Sequence, residues 1–221
     1  FISSIAQDAG GNIYVATGSG EESWSGNGLY VTPDFGDTWQ LVPGTGTESR
    51  INRVAATAAS PIVYFTTTSG LKEYTFGGNV DDVTAYGGSG AATLYYSMDG
   101  EVIVVAANNN RTWVSLDWGQ TFTDRSGSGP GEIPPGGFSR IEYAVSSKKP
   151  NGTYSIYAAT TTANNAGQWI SIDDGVTWHE HTPSTQANDP SGVIDYRNQG
   201  TYNSVVTFDP TDPERAIVGG I

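Results

Sequence analysis

Thr32-Pro33-Asp34-Phe35-Gly36-Asp37-Thr38-Trp39, Ser115-Leu116-Asp117-Trp118-Gly119-Gln120-Thr121-Phe122 and Ser171-Ile172-Asp173-Asp174-Gly175-Val176-Thr177-Trp178 are three copies of one octapeptide, Ser/Thr-x-Asp-x-Gly-x-Thr-aromatic. A short motif that returns at long intervals is the mark of a repeat architecture. Around the first copy, strand-forming runs read Phe1–Gln7, Ile13–Thr17, Gly28–Thr32 and Thr38–Val42, with turn clusters such as Asp8-Ala9-Gly10-Gly11-Asn12 between them. The octapeptide joins the last two runs. Further groups of four begin near Ile51, Ala92 and Arg140. These intervals match a four-stranded propeller blade of roughly 40–50 residues.

The reading is therefore all-β: a β-propeller of four-stranded antiparallel blades. The blades fall at about 1–46, 47–90, 91–136 and 137–199, with a half blade at 200–221. Asp34 and Asp117 lie two blade lengths apart, so a further box is due near 73–81. That stretch reads Glu73-Tyr74-Thr75-Phe76-Gly77-Gly78-Asn79 and has lost the motif. The last group holds two runs, Tyr202–Phe208 and Ala216–Gly219, about the turn Asp209-Pro210-Thr211-Asp212-Pro213. Two strands predict a part of a larger propeller, completed by the remainder of its own chain.

Composition narrows the function classes. The 221 residues are 37% hydrophobic, with Trp 6, Tyr 12 and Phe 7, and Gly 29 and Pro 11 supply turns. A net charge of −13 with 10 Lys+Arg leaves no basic stripe for nucleic acid and no attraction to an anionic membrane. There is no apolar run near 18 residues, so no inserted helix is predicted. Absence of cysteine excludes disulfides and thiolate metal sites. An Asn/Thr/Ser/Gly-rich, Lys-poor composition fits a secreted or cell-surface protein.

Each residue of the octapeptide has a local task. Asp34, Asp117 and Asp173 can accept hydrogen bonds from backbone N–H groups that the strand ladder leaves over. Gly36, Gly119 and Gly175 supply a positive φ. The hydroxyls of Thr32, Thr38, Ser115, Thr121, Ser171 and Thr177 close further local bonds. Trp39, Phe122 and Trp178 return to the strand and are expected to pack between neighbouring sheets.

The octapeptide resembles the Asp-box, or BNR repeat, of sialidases, xyloglucan-active endoglucanases, sortilin-type receptors, a photosystem assembly factor and many secreted bacterial surface proteins. The resemblance extends over nearly the whole chain. It implies a β-propeller, and it implies that the boxes are structural and sit on the face opposite the one that carries the site in enzymatic relatives. It says little about activity.

On that opposite face lie the longest loops: Gly18–Asn27, Ala107–Arg111, Asp124–Phe138, Thr160–Gly167 and Thr182–Asn203. They supply the candidate binding residues Glu21, Glu22, Trp24, Asn109, Arg111, Asp195, Tyr196 and Arg197. An exposed Trp24 and Tyr196 flanked by carboxylates could stack on a sugar. Glycoside hydrolysis needs two carboxyl groups across the bond, for which Glu21, Glu22, Asp195 and Glu142 are available. The arginine-bearing segment of sialidases is missing; Arg50-Ile51-Asn52 and Arg140-Ile141-Glu142 keep only an Arg-Ile pair. His179 and His181 share a strand face but lack a third metal ligand, and Asp209–Pro213 lacks the ligand density of a calcium loop. Asn110 and Asn151 stand in glycosylation sequons, and Gly87-Gly88-Ser89-Gly90 lacks the lysine and helix of a phosphate loop. The sequence thus predicts no catalytic residues, no metal and no cofactor. Its leading reading is a non-catalytic, secreted or cell-surface platform for protein or glycan partners. The alternative is a sialidase- or xyloglucanase-like glycoside hydrolase whose site is completed outside this segment.

Overall fold

The computed structural model describes residues 1–19, 23–57, 59–136, 138–161, 166–181 and 204–220. Four sheets of four strands succeed one another along the chain. The first holds β1 (Ile2–Gln7), β2 (Ile13–Thr17), β3 (Leu29–Thr32) and β4 (Gln40–Leu41). The second holds β5 (Val54–Thr57), β6 (Ser60–Thr66), β7 (Leu71–Thr75) and β8 (Val80–Asp82). The third holds β9 (Ala91–Tyr96), β10 (Ile103–Ala107), β11 (Thr112–Ser115) and β12 (Thr123–Asp124). The fourth holds β13 (Arg140–Val145), β14 (Ile156–Thr161), β15 (Ala166–Ser171) and β16 (His179–Glu180). A two-stranded fifth sheet pairs β17 (Ser204–Asp209) with β18 (Asp212–Gly220). Within each sheet, neighbours in sequence pair antiparallel. First strands of successive blades lie side by side, β1 by β5, β5 by β9, β9 by β13 and β13 by β17, around a shared centre.

The strand β10 shows why the blades stack. Its run Ile103-Val104-Val105-Ala106-Ala107 is apolar at every position, as a strand covered on both faces should be. Side chains alternate between faces. Ile103, Val105 and Ala107 therefore join blade 2 residues such as Tyr64 and Leu71 in one core. Val104 and Ala106 join Ile141, Tyr143 and Ile156 of blade 4 in another. Comparable cores seal blade 1 to blade 2, through Tyr14, Leu29 and Phe65, and blade 4 to blade 5, through Tyr157, Val206 and Phe208. At the two outer faces the same alternation leaves apolar side chains uncovered: Ile2, Ile5 and Trp39 on blade 1, Val205 and Ile217 on blade 5. The arc of sheets is open, as a partial propeller requires.

The second blade closes its β7–β8 hairpin without a box. The N–H of Gly78 donates to the Thr75 carbonyl at 2.8 Å, and Gly77 takes a positive φ of 82°. A short glycine turn suffices where the motif is lost. The turn at Asp209 is likewise self-contained, its carboxylate accepting from the Thr211 N–H and hydroxyl at 2.9 and 2.7 Å.

Candidate functional site

The three boxes have nearly identical bonding. In the first, the Thr32 hydroxyl donates to Asp34 Oδ1 at 2.7 Å and accepts from the Gly36 N–H at 2.8 Å. Asp34 also accepts from the Thr38 N–H at 2.9 Å and the Thr38 hydroxyl at 2.6 Å. Ser115, Asp117, Gly119 and Thr121 repeat this set, as do Ser171, Asp173, Gly175 and Thr177. The carboxylates titrate low as a result. Asp34 is lowered to about 2, first by the Thr38 hydroxyl and then by the Thr38 N–H and Thr32. Asp117 and Asp173 are lowered too. Desolvation opposes the shift there, and the hydroxyl and N–H of Thr121 and Thr177 outweigh it.

The residue before each glycine is also left-handed, at φ 57° for Phe35, 55° for Trp118 and 63° for Asp174. Two consecutive positive φ values are what bring the glycine N–H back to the Ser/Thr hydroxyl. One expectation about the terminal aromatic is corrected. Trp178 is 2% exposed and packs against blade 3, and Phe122 meets Tyr86 of blade 2 edge-on at 5.8 Å. Trp39 is 46% exposed, on a side of the first sheet that none of the described sheets covers. Each of these carboxylates accepts three hydrogen bonds from its own turn, which gives the boxes a structural task.

The opposite face carries a cleft of ≈ 340 Å³. Three blade entrances and two β-hairpin turns converge on it. Arg50 and Asn52 lie on the link into β5, Thr93 on β9, Ser139 and Arg140 at the start of β13, and Thr67 and Asn108 at the ends of β6 and β10. All of these are polar, whereas a second cavity, between blades 2 and 3 beside Tyr64 and Leu94, is small and apolar. Below the cleft, Glu142 is almost fully buried and lies between two guanidinium groups. Arg53 reaches it from blade 2 at 3.1 Å, and Arg140 from the same strand at 2.6 Å. Arg53 also donates to the Tyr95 hydroxyl at 2.6 Å, with its guanidinium 4.8 Å from that ring's centre.

Two polar groups of the cleft are left over. The half-buried Arg50 has no ion-pair or hydrogen-bond partner for its guanidinium among the described residues. The Thr93 hydroxyl is buried, on a residue only 6% exposed, and no hydrogen bond reaches it. Buried polar groups normally find a partner.

The residues singled out from the sequence are scattered. Glu21, Glu22, Asp195, Tyr196 and Arg197 lie outside the described residues. Trp24 is 56% exposed, bridged to Ser19 through its backbone and packed edge-on against Phe1 at 5.5 Å. Asn109 is exposed on the turn between β10 and β11, while its neighbours Asn108 and Asn110 line the cleft. Arg111 is turned to the blade edge, donating to Asp124 at 2.5 Å and to the Ser126 carbonyl at 3.1 Å. The described members of that set therefore do not converge. Arg50, Thr93 and the Arg53–Glu142–Arg140 network do, and the one trace they left in the sequence is the recurrent Arg-Ile pair at two blade entrances. His179 and His181 are exposed, and no group of three or more candidate metal ligands occurs among the described residues.

No family model matches the chain, and no curated protein sequence does. Solved structures do match. The xyloglucanase of family GH74 from Xanthomonas campestris aligns with a TM-score of 0.61 at 16% identity, over 98% of this chain and 34% of its own. The Dos1 propeller aligns at 0.59 and 11% identity, over 100% and 61%. YCF48 bound to D1 peptide aligns at 0.51 and 14%, over 95% and 59%. The chain thus spans between about a third and three-fifths of these structures. At such identities the likeness speaks for fold, and with the strand order it defines the class: a β-propeller.

Proposed function

We propose that this propeller is a non-catalytic binding platform of a secreted or cell-surface protein, and that protein or glycan ligands dock on the face that carries the polar cleft. The observation that carries this reading is the chemistry of that cleft. It offers amides, hydroxyls and a spare guanidinium, while Glu142 beneath it is engaged by two arginines. A glycoside hydrolase needs two carboxyl groups free to act across a bond, and Glu142 already serves as a structural counter-ion. Glu73, whose carboxyl is raised by desolvation and by nearby Asp81, sits on β7 and does not line the cleft. Stacked blades also make a rigid base for such a site. Among the structural neighbours, one is described with a bound peptide, which is in keeping with a platform role.

The test is binding of the chain to immobilised glycan and peptide libraries, with Asn108→Ala and Asn110→Ala variants beside it. Ligands retained by the parent and lost by the variants support the reading; ligands retained equally by all three would refute it. The likeness to a xyloglucanase favours one second reading, a hydrolase completed by residues outside this segment. Release of reducing ends from xyloglucan by the full-length protein would establish that reading in place of the first. Localisation is checked by fractionating the producing cells: recovery in medium or on the surface is expected, and retention in cytosol would overturn it.

A further inference from the structure

The charge balance in the cleft is opposite in sign to that of the molecule. Arg50 and Arg140 line the cleft, Glu142 beside it is paired with Arg53 and Arg140, and no carboxylate is among the described lining residues, in a chain of net charge −13. Arg53 and Arg140 share Glu142, and Arg50 has no anion beside it among the described residues. A half-buried arginine forgoes part of its hydration, and an oxyanion offers it charge-assisted, paired hydrogen bonds in return. The Thr93 hydroxyl, buried beside the cleft without a partner, supplies a donor for the same guest. Around this cationic centre the remaining described lining is amide and hydroxyl, with Ala91, Ala92 and Ile141 as the apolar neighbours and no aromatic ring among the described residues. That is poor anchorage for the side chains of a peptide, which need apolar pockets, and good anchorage for a ring of hydroxyl groups.

We infer that the cleft binds an acidic glycan, with a sugar-borne oxyanion held by Arg50 and Thr93 and neighbouring sugar hydroxyls held by Asn52 and Asn108. The oxyanion is a uronate carboxylate or a sulfate ester, since both present the same acceptors to a guanidinium. This rests on the platform reading and narrows it to one ligand class.

Calorimetric titration with an oligogalacturonate, a sulfated galactan oligosaccharide and a neutral xyloglucan oligosaccharide tests it. At least one acidic ligand is expected to bind about tenfold or more tightly than the neutral one. The acidic ligand that binds identifies the anion. Arg50→Gln should weaken that ligand about tenfold and leave the melting temperature unchanged, because the guanidinium has no partner among the described residues. Thr93→Val, which keeps shape and removes the hydroxyl, should weaken it several-fold without destabilising the fold. Neutral and acidic ligands binding alike would overturn the acidic assignment, and loss of both on Asn108→Ala would then leave the platform reading standing. Unchanged affinity in Arg50→Gln, or no binding of either acidic ligand by the folded chain, would also overturn it.

Discussion

The boxes of blade 1 and blade 4 contain the same hydrogen bonds to within about a tenth of an ångström, yet they are embedded differently. In blade 4, Trp178 is enclosed by blade 3, its ring N–H donates to Gly175 and its backbone N–H to Gly131 of the neighbouring blade. In blade 1, Trp39 is nearly half exposed. The difference separates two roles that the motif fuses. The Ser/Thr-Asp-Gly-Thr part closes a turn wherever it occurs, while the aromatic stabilises only when a preceding blade covers it.

The most direct way to break the comparison is to remove both aromatics. Trp178→Ala should lower stability by about 3–5 kcal/mol, as deletion of an enclosed ring does, and Trp39→Ala by less than about 1 kcal/mol. Urea unfolding of the two variants measures this, and equal losses would refute the separation. Alanine at the box glycines gives the next contrast. At Gly175, with φ 78°, a new methyl would lie 3.0 Å from Val114 and 3.1 Å from Ile156, so strain and crowding should together cost roughly 2–4 kcal/mol. At Gly36 the nearest atom is 4.0 Å away and only the conformational strain of roughly 1–2 kcal/mol remains.

The smallest effect is one of pH, and here the two boxes should agree. The folded Asp34 carboxyl titrates at about 2, below the unfolded value near ~4. Its contribution is therefore complete above pH ~4 and is lost as pH falls toward 2. Asp173 is shifted in the same direction. Asp34→Asn and Asp173→Asn should each flatten the acid limb of the stability curve, followed by tryptophan fluorescence. A limb unchanged in both would mean that the box carboxylates are not the groups that titrate.

Much of the architecture was legible because it is local. Asp8 shows how: its carboxylate closes its turn by accepting from Gly10, Asn12 and Tyr14, all within six residues. The blade intervals and the missing box at Thr75–Gly78 could be read in the same way. The cleft could not. Arg53 and Glu142 stand 89 positions apart, and nothing in the spacing of either announces the other. Trp24 and Arg111 drew attention as loop residues of the right chemistry, but loop membership does not fix direction, and Arg111 is directed to Asp124. Thr93 offered no signal at all, since a threonine in a strand is ordinary until its hydroxyl proves to lack a partner.

The Arg53–Glu142 pair has a consequence for how the molecule comes apart. A stack whose members touch only their neighbours opens piecemeal, each unit at its own free energy. This pair is a chord: it leaves blade 2, passes Tyr95 of blade 3 and ends on blade 4. Three units so tied should surrender their amide protons at one rate, with β5, β9 and β13 exchanging together and β1 and β17 ahead of them. Cutting the chord with Arg53→Met should restore three separate rates, and the width of the cleft mouth would then vary with each.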